Sequence, residues 1–152
     1  MWEFVFSAAS ILAMIAWAVL IFLPRKPLAM TVILYIGVGI LCFVYTAAMA
    51  ILQLNLADPV GPADNQVSFS TIEGVRAIFA TNGGVVIGWT HYLAFDLFVG
   101  LWIAKDADAK GFSRFLQAPI LFATFMVGPV GLFIWLIIRE PAARRAAKEA
   151  RA

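Results

Sequence analysis

Four long apolar runs decide what this chain can become. Residues 4–23, 28–56, 85–104 and 115–138 are almost free of charge. Each reaches the roughly 20 residues that a helix needs to cross the hydrocarbon core. Lipid supplies no hydrogen bonds, so a crossing segment must satisfy its backbone within the protein. Composition agrees: 63% of the residues are hydrophobic and the mean hydropathy is +0.93. A water-soluble domain of 152 residues has no interior large enough to hide that surface. The expected class is an all-α integral membrane protein, a four-transmembrane-helix bundle.

The connections support this division. The first run stops at Pro24-Arg25-Lys26-Pro27, where two prolines limit the helix and two cations seek water or phosphate. The second run carries Gly37 and Gly39, which let a neighbouring helix approach, and leaves the membrane at Gln53 and Asn55. A loop rich in Pro, Gly, Asp and Asn follows over residues 58–66. The stretch from 70 to 80 is too short to span and predicts an interfacial or re-entrant helix. Ser70 or Thr71 would cap it, with Glu73 placed as in a capping box. Asn82-Gly83-Gly84 should break it from the third span. The fourth span is interrupted by Pro119 and by Gly128-Pro129-Val130-Gly131. Residues 1–139 then form one membrane domain, and 140–152 a basic tail. The start of the chain lacks the basic region of a cleaved signal, so the first helix is read as retained.

Charge gives an inconsistent orientation. Arg25 and Lys26 in the first loop share a side with Lys105, Lys110 and Arg114 in the third, and the positive-inside rule makes that side cytoplasmic. A fourth span would carry Arg139, Arg144, Arg145, Lys148 and Arg151 to the other side. The first helices usually dominate, which places the N-terminus outside. The net charge of +2, gathered in short runs, suits anionic headgroups and not nucleic acid. The single cysteine, Cys42, excludes an intramolecular disulfide.

Chemistry concentrates in the third span. It holds His91, the only histidine, and Asp96, the one acid well inside an apolar run. Ionisable groups at membrane depth are expensive, and they mark functional sites by default. On a straight helix, Asp96 stands on the stripe of Trp89, close to Tyr92. His91 lies about 140° round and about 7.5 Å along from Asp96. Both can border one inward sector, but their partners must come from other elements, among them Glu73, Asn82, Tyr45 and carbonyls freed by Pro119 or Pro129. Such a set permits acid/base work in a dry site, with His91, Asp96 and Glu73 as candidate catalytic residues. Trp89, Tyr92 and Asn82 are the candidate substrate contacts. A histidine with two carboxylates also resembles a metal set, but the spacing matches no metal signature, so no metal or other cofactor is assigned. Structural roles compete with each of these: Asp96 stitching helices together, His91 filling a helix interface, and Glu73 capping a short helix.

The pattern Trp89-x-His91-x-Leu93-x-x-Asp96-Leu97-Phe98, followed by Asp106 and by Gly128-Pro129-x-Gly131, resembles the abscisic-acid-deficient-four family from about residue 4 to 139. These are small membrane proteins of plants, algae and bacteria, and the plant members are implicated in neoxanthin synthesis. The resemblance implies isomerisation of a violaxanthin epoxide to an allenic xanthophyll, with Asp96 and His91 as acid and base in either order. Where relatives commonly carry an arginine after the Asp-Leu-Phe core, this chain has Leu101. The chain shows no plastid transit peptide, so a bacterial inner membrane is the expected location.

Two classes of function follow. One is an enzyme, a carotenoid isomerase. The other is a non-enzymatic pigment or lipid binder, or a membrane helper protein. The expected partners are the lipid bilayer and a lipophilic small molecule, a carotenoid or other isoprenoid. No nucleic-acid partner is expected, and a homo-oligomer is compatible with the sequence.

Overall fold

The computed structural model describes residues 1–54, 56–57 and 68–149, with side chains through 145. The loop expected over 58–66 lies outside the described residues, as does the end of the tail. Every regular element among the described residues is helical: α1 (Trp2–Phe22), α2 (Pro27–Val32), a π-helical segment (Ile33–Val38), α3 (Gly39–Gln53), α4 (Ile72–Ile78), α5 (Asn82–Ala109) and α6 (Arg114–Glu149). Four stretches are long and apolar enough to cross a membrane: Trp2–Phe22, Pro27–Gln53, Asn82–Ala109 and Arg114–Arg145. Phe4, Phe43, Phe115 and Phe133 are each more than 60% exposed, the arrangement of a protein that turns apolar surface toward lipid.

The helix ends follow local chemistry and shift several expected boundaries. Pro27 opens α2 where a missing N–H costs nothing. Thr71, not Ser70, caps α4, its hydroxyl accepting from the N–H of Gly74 at 3.1 Å. Glu73 therefore sits one position too early for a capping box and serves instead as an acid in the first turn. The glycine pair does not break the chain. The break falls at Phe79–Thr81, and Thr81 caps α5 by accepting from the N–H of Gly84 at 3.2 Å. Gly84 is required there, because a Cβ would lie 1.6 Å from the carbonyl oxygen of Ile78. At its other end α5 continues through Lys105, Asp106 and Asp108. It closes at Gly111, with φ of 71°, where the N–H of Phe112 returns to the carbonyl of Ala107 at 3.0 Å.

The chain forms two compact units. The first comprises Met1–Ile15 with Tyr35–Phe95. Its core joins Trp2 of α1, Ala48 and Leu52 of α3, and Val86 and Ile87 of α5. The second comprises Ala16–Leu34 with Asp96–Ala152. There Trp17 lies over Gly100, where a Cβ would come within 2.3 Å of the indole, and its ring meets that of Phe125 at 5.6 Å.

The second unit holds a feature that length and composition do not reveal. Within α6, Val127 leaves helical geometry, with φ −149° and ψ 61°. The chain turns back on itself there. A Cβ on Gly131 would lie 2.4 Å from the backbone nitrogen of Thr124 and 2.6 Å from its Cα. In an uninterrupted helix those residues are about 10.5 Å apart. Further out, the rings of Phe112 and Trp135 meet edge to face at 5.2 Å, and Arg139 Nε lies 2.7 Å from the carboxylate of Asp106. A straight helix from 114 would have carried Arg139 about 37 Å away. The two limbs of α6 therefore run antiparallel. The helix continues through Pro141 to Glu149, past the position expected for its end.

Two polar clusters fasten the open end of this hairpin to α5. Arg25 donates to the Asp108 carboxylate at 2.9 Å, to the carbonyl of Ala104 at 3.3 Å and to the side-chain oxygen of Gln117. Gln117 is fully buried, and it donates in turn to Asp108 at 3.0 Å and to the carbonyl of Phe112 at 2.8 Å. Burial pulls the Arg25 guanidinium below its ordinary pKa, while the hydrogen bond to Asp108 opposes that shift. On the other cluster, Asp106 accepts from Arg139, from Trp135 Nε1 at 3.1 Å and from Lys110, and Arg139 lies 5.4 Å from the ring centroid of Trp102.

Because the obstacle at Gly131 is backbone, it cannot swing aside. Gly131→Ala is expected to destabilise by roughly 1–3 kcal/mol, the usual cost of overpacking. Thermal unfolding in detergent would record it as a lower Tm. Unchanged stability would mean that the limbs are not in contact at this point.

Candidate functional site

The first unit gathers most of the residues singled out in the sequence. An open groove of about 390 Å³ is lined by Trp2, Glu3, Phe6, Ser7, Asn82, Val85 and Val86. From its edge a row of rings runs along α5. Phe6 stacks on Trp89 at 5.6 Å and 26°, and Trp89 stacks on Tyr92 at 5.3 Å and 24°. Trp89 Nε1 donates to the hydroxyl of Ser10 at 3.0 Å, which fixes the indole in that row. Asn82 to Tyr92 spans about 15 Å of helix. The three expected substrate contacts thus lie along one path, with Phe6 as the link.

His91 lies on a second row. Its imidazole stacks with Phe95 at 4.6 Å and approaches Tyr45 at 5.6 Å. Tyr45 was one of the partners the sequence suggested. The inward orientation expected of His91 is not found: the residue is exposed, as is Phe95 beside it. Between the two rows, Thr90 is buried, and its hydroxyl has no hydrogen-bond partner among the described residues. Glu73 is exposed on α4. Among the described residues no three His, Cys, Asp or Glu side chains gather closely enough to hold a metal ion.

Asp96 belongs to the second unit and is half-buried. Its carboxyl group rests on Gly128 at the turn of α6. A Cβ there would lie 2.1 Å from Oδ1 and 2.5 Å from Cγ. Gly128 and Pro129 open the second limb, so the acid stands where a helix N-terminus presents unpaired N–H groups and positive potential. Reversals of this kind are tolerated at membrane depth only when protein groups satisfy the interrupted backbone. A carboxylate at the turn has the right chemistry for that task.

Sequence reasoning missed Glu3, Ser7, Phe6 and Ser10. All four lie on the first two turns and a half of α1, a helix that reads as an ordinary span. Glu3 was the one signal available, an acid at the very start of an apolar run.

An all-α membrane protein with four long apolar helices, an aromatic row along α5 and an acid at the turn of its last helix is the class that this architecture defines. The chain matches the family described as ABA DEFICIENT 4-like over residues 4–135, and it belongs to that family. No curated protein and no solved structure matches it.

The seat of Asp96 can be tested by coupling. Gly128→Ala should destabilise the protein by pushing the carboxyl away. Asp96→Ala should recover part of that loss by vacating the space. The two changes should depart from additivity by roughly 0.5–3 kcal/mol in thermal unfolding, as for residues in contact. Additive losses would separate Asp96 from the turn.

Proposed function

We propose that this protein binds, and acts on, a carotenoid or another isoprenoid lipid along the Phe6–Trp89–Tyr92 row. The observation that carries the reading is the continuity of that row, through Phe6, with a groove that also bears Glu3, Ser7 and Asn82. A long polyene is apolar over most of its length and bears oxygen only on its end rings. Stacked aromatic faces suit the first part, and the Glu3 carboxylate, the Ser7 hydroxyl and the Asn82 amide suit the second. Membership of the ABA DEFICIENT 4-like family supports the same chemistry. The setting we propose is a bacterial inner membrane, with lipid against the exposed helix faces and the ligand drawn from it.

The reaction we assign is acid/base isomerisation of a xanthophyll epoxide. A proton is delivered to the epoxide oxygen as its C–O bond opens, and another is taken from the adjoining polyene carbon, so atoms and charge balance without an oxidant. Of the residues nominated for this, we give the proton-handling role to His91, the only imidazole, exposed beside Tyr45 and Phe95. Glu73, at the start of α4, is the remaining candidate of the first unit. To Asp96 we assign the α6 turn. One observation favours binding without turnover: His91 occupies a different row from Trp89 and Tyr92.

Mass spectrometry of lipids that copurify in mild detergent, together with conversion of added carotenoids, tests both readings. The parent protein should retain an isoprenoid, and Trp89→Leu should lose most of it at nearly unchanged Tm. His91→Gln should retain the ligand while abolishing conversion. Conversion undiminished in His91→Gln would remove the acid/base role, and retention undiminished in Trp89→Leu would remove the binding row.

A further inference from the structure

We infer that α6 enters and leaves the membrane on one side, so that the first loop, the α5–α6 turn and the C-terminal limb form a single basic face against anionic lipid headgroups. All the contacts that carry this lie within the second unit. Its α5 segment descends from the end marked by Asp106 and Asp108. Four residues, 110–113, separate α5 from the first limb of α6, so that limb starts at the same end. The limb is only about 13 residues long before Val127, or roughly 20 Å, short of the roughly 30 Å of hydrocarbon.

The depth of the turn is set by Asp96. It lies ten residues before Asp106, about 15 Å along the helix axis, and its carboxyl group meets Gly128. That places the turn about halfway across the hydrocarbon. The second limb then returns to where the first began, because Trp135 and Arg139 both reach Asp106. The first loop joins them at that end. Arg25 bonds to Asp108 and Gln117, and Arg114 donates to the carbonyl of Leu23 at 2.6 Å.

Charge supplies an independent reason. With α6 as a complete span, the cations of the tail would face the side opposite Arg25, Lys26, Lys105 and Arg114, against the positive-inside rule. With α6 as a hairpin they share that side. Lys26, Lys105, Arg114, Arg144 and Arg145 are all exposed there. Arg144 among them also pairs with the exposed Glu140 at 2.8 Å, but cations outnumber acids on this face, which fits the phosphates of an acidic leaflet.

Cysteine accessibility tests the arrangement in the full-length protein. In a Cys42→Ala background, Lys26→Cys, Lys105→Cys, Arg145→Cys and Ala80→Cys are each exposed to a membrane-impermeant maleimide, in right-side-out and in inverted vesicles. Lys26→Cys, Lys105→Cys and Arg145→Cys should label from one side and Ala80→Cys from the other. Labelling of Arg145→Cys from the side of Ala80→Cys would overturn the inference. A reporter fused to the C-terminus of the unaltered chain gives the same answer without substitution, and it decides the matter should a variant fail to fold. For the lipid partner, the parent protein is placed in nanodiscs of neutral phosphatidylcholine and in nanodiscs that also contain phosphatidylglycerol. The anionic lipid should raise the Tm, and the joint change Arg144→Glu with Arg145→Glu should shrink that rise. A Tm indifferent to phosphatidylglycerol would overturn the headgroup assignment while leaving sidedness to the labelling result.

Discussion

The reversal of α6 at Val127 is the constraint on which the second unit depends. A helix turned back at membrane depth leaves N–H and C=O groups with no helical partner, and lipid offers none. The solution uses two absences and one acid. Gly131 lacks the Cβ that would collide with Thr124, Gly128 lacks the Cβ that would collide with Asp96, and the Asp96 carboxyl group lies at the turn. At the open end, Asp106 draws Arg139 and Trp135 onto α5, while Gln117 and Arg25 hold the start of the first limb. Ion pairs in water contribute little, but here they sit in partly buried positions and fix which residues lie opposite each other.

This arrangement changes what an acid in the third span means. Read from the sequence, Asp96 is a candidate catalyst because a carboxyl in hydrocarbon needs a reason to be there. The turn of α6 supplies a structural reason. His91 meets Tyr45 of α3 and Phe95 of its own helix, contacts that a helix interface also makes. It is exposed among aromatic rings, and Trp89 and Tyr92 stack along a separate row that begins at a groove with polar residues. In the first unit the nominated side chains are therefore spread over two rows of rings.

Much of this was legible in the sequence, and the reasons for the rest are physical. The four apolar runs appear at the expected places because hydrophobic length is a local property. The short helix before the third span is present, although Thr71 caps it and Glu73 does not complete a capping box. The Gly128-Pro129-Val130-Gly131 stretch announced an interruption. Its angle was not legible, since a kink and a reversal share the same local residues. The difference lies in Asp106 meeting Arg139, residues 33 positions apart. Likewise α5 is apolar nearly all round, so its periodicity could not tell an exposed His91 from an inward one. Glu3 and Ser7 were missed because they become notable only when Asn82 lies across the groove from them.

The reversal is open to a direct distance measurement. Leu116 and Ile137 are both exposed and stand on opposite limbs. Spin labels at these two positions, in a Cys42→Ala background reconstituted in nanodiscs, would be read by pulsed electron paramagnetic resonance. Antiparallel limbs predict a short separation, on the order of 10–20 Å, within the reach of two packed helices and their labels. A separation near 32 Å, that of 21 residues along one uninterrupted helix, would contradict it.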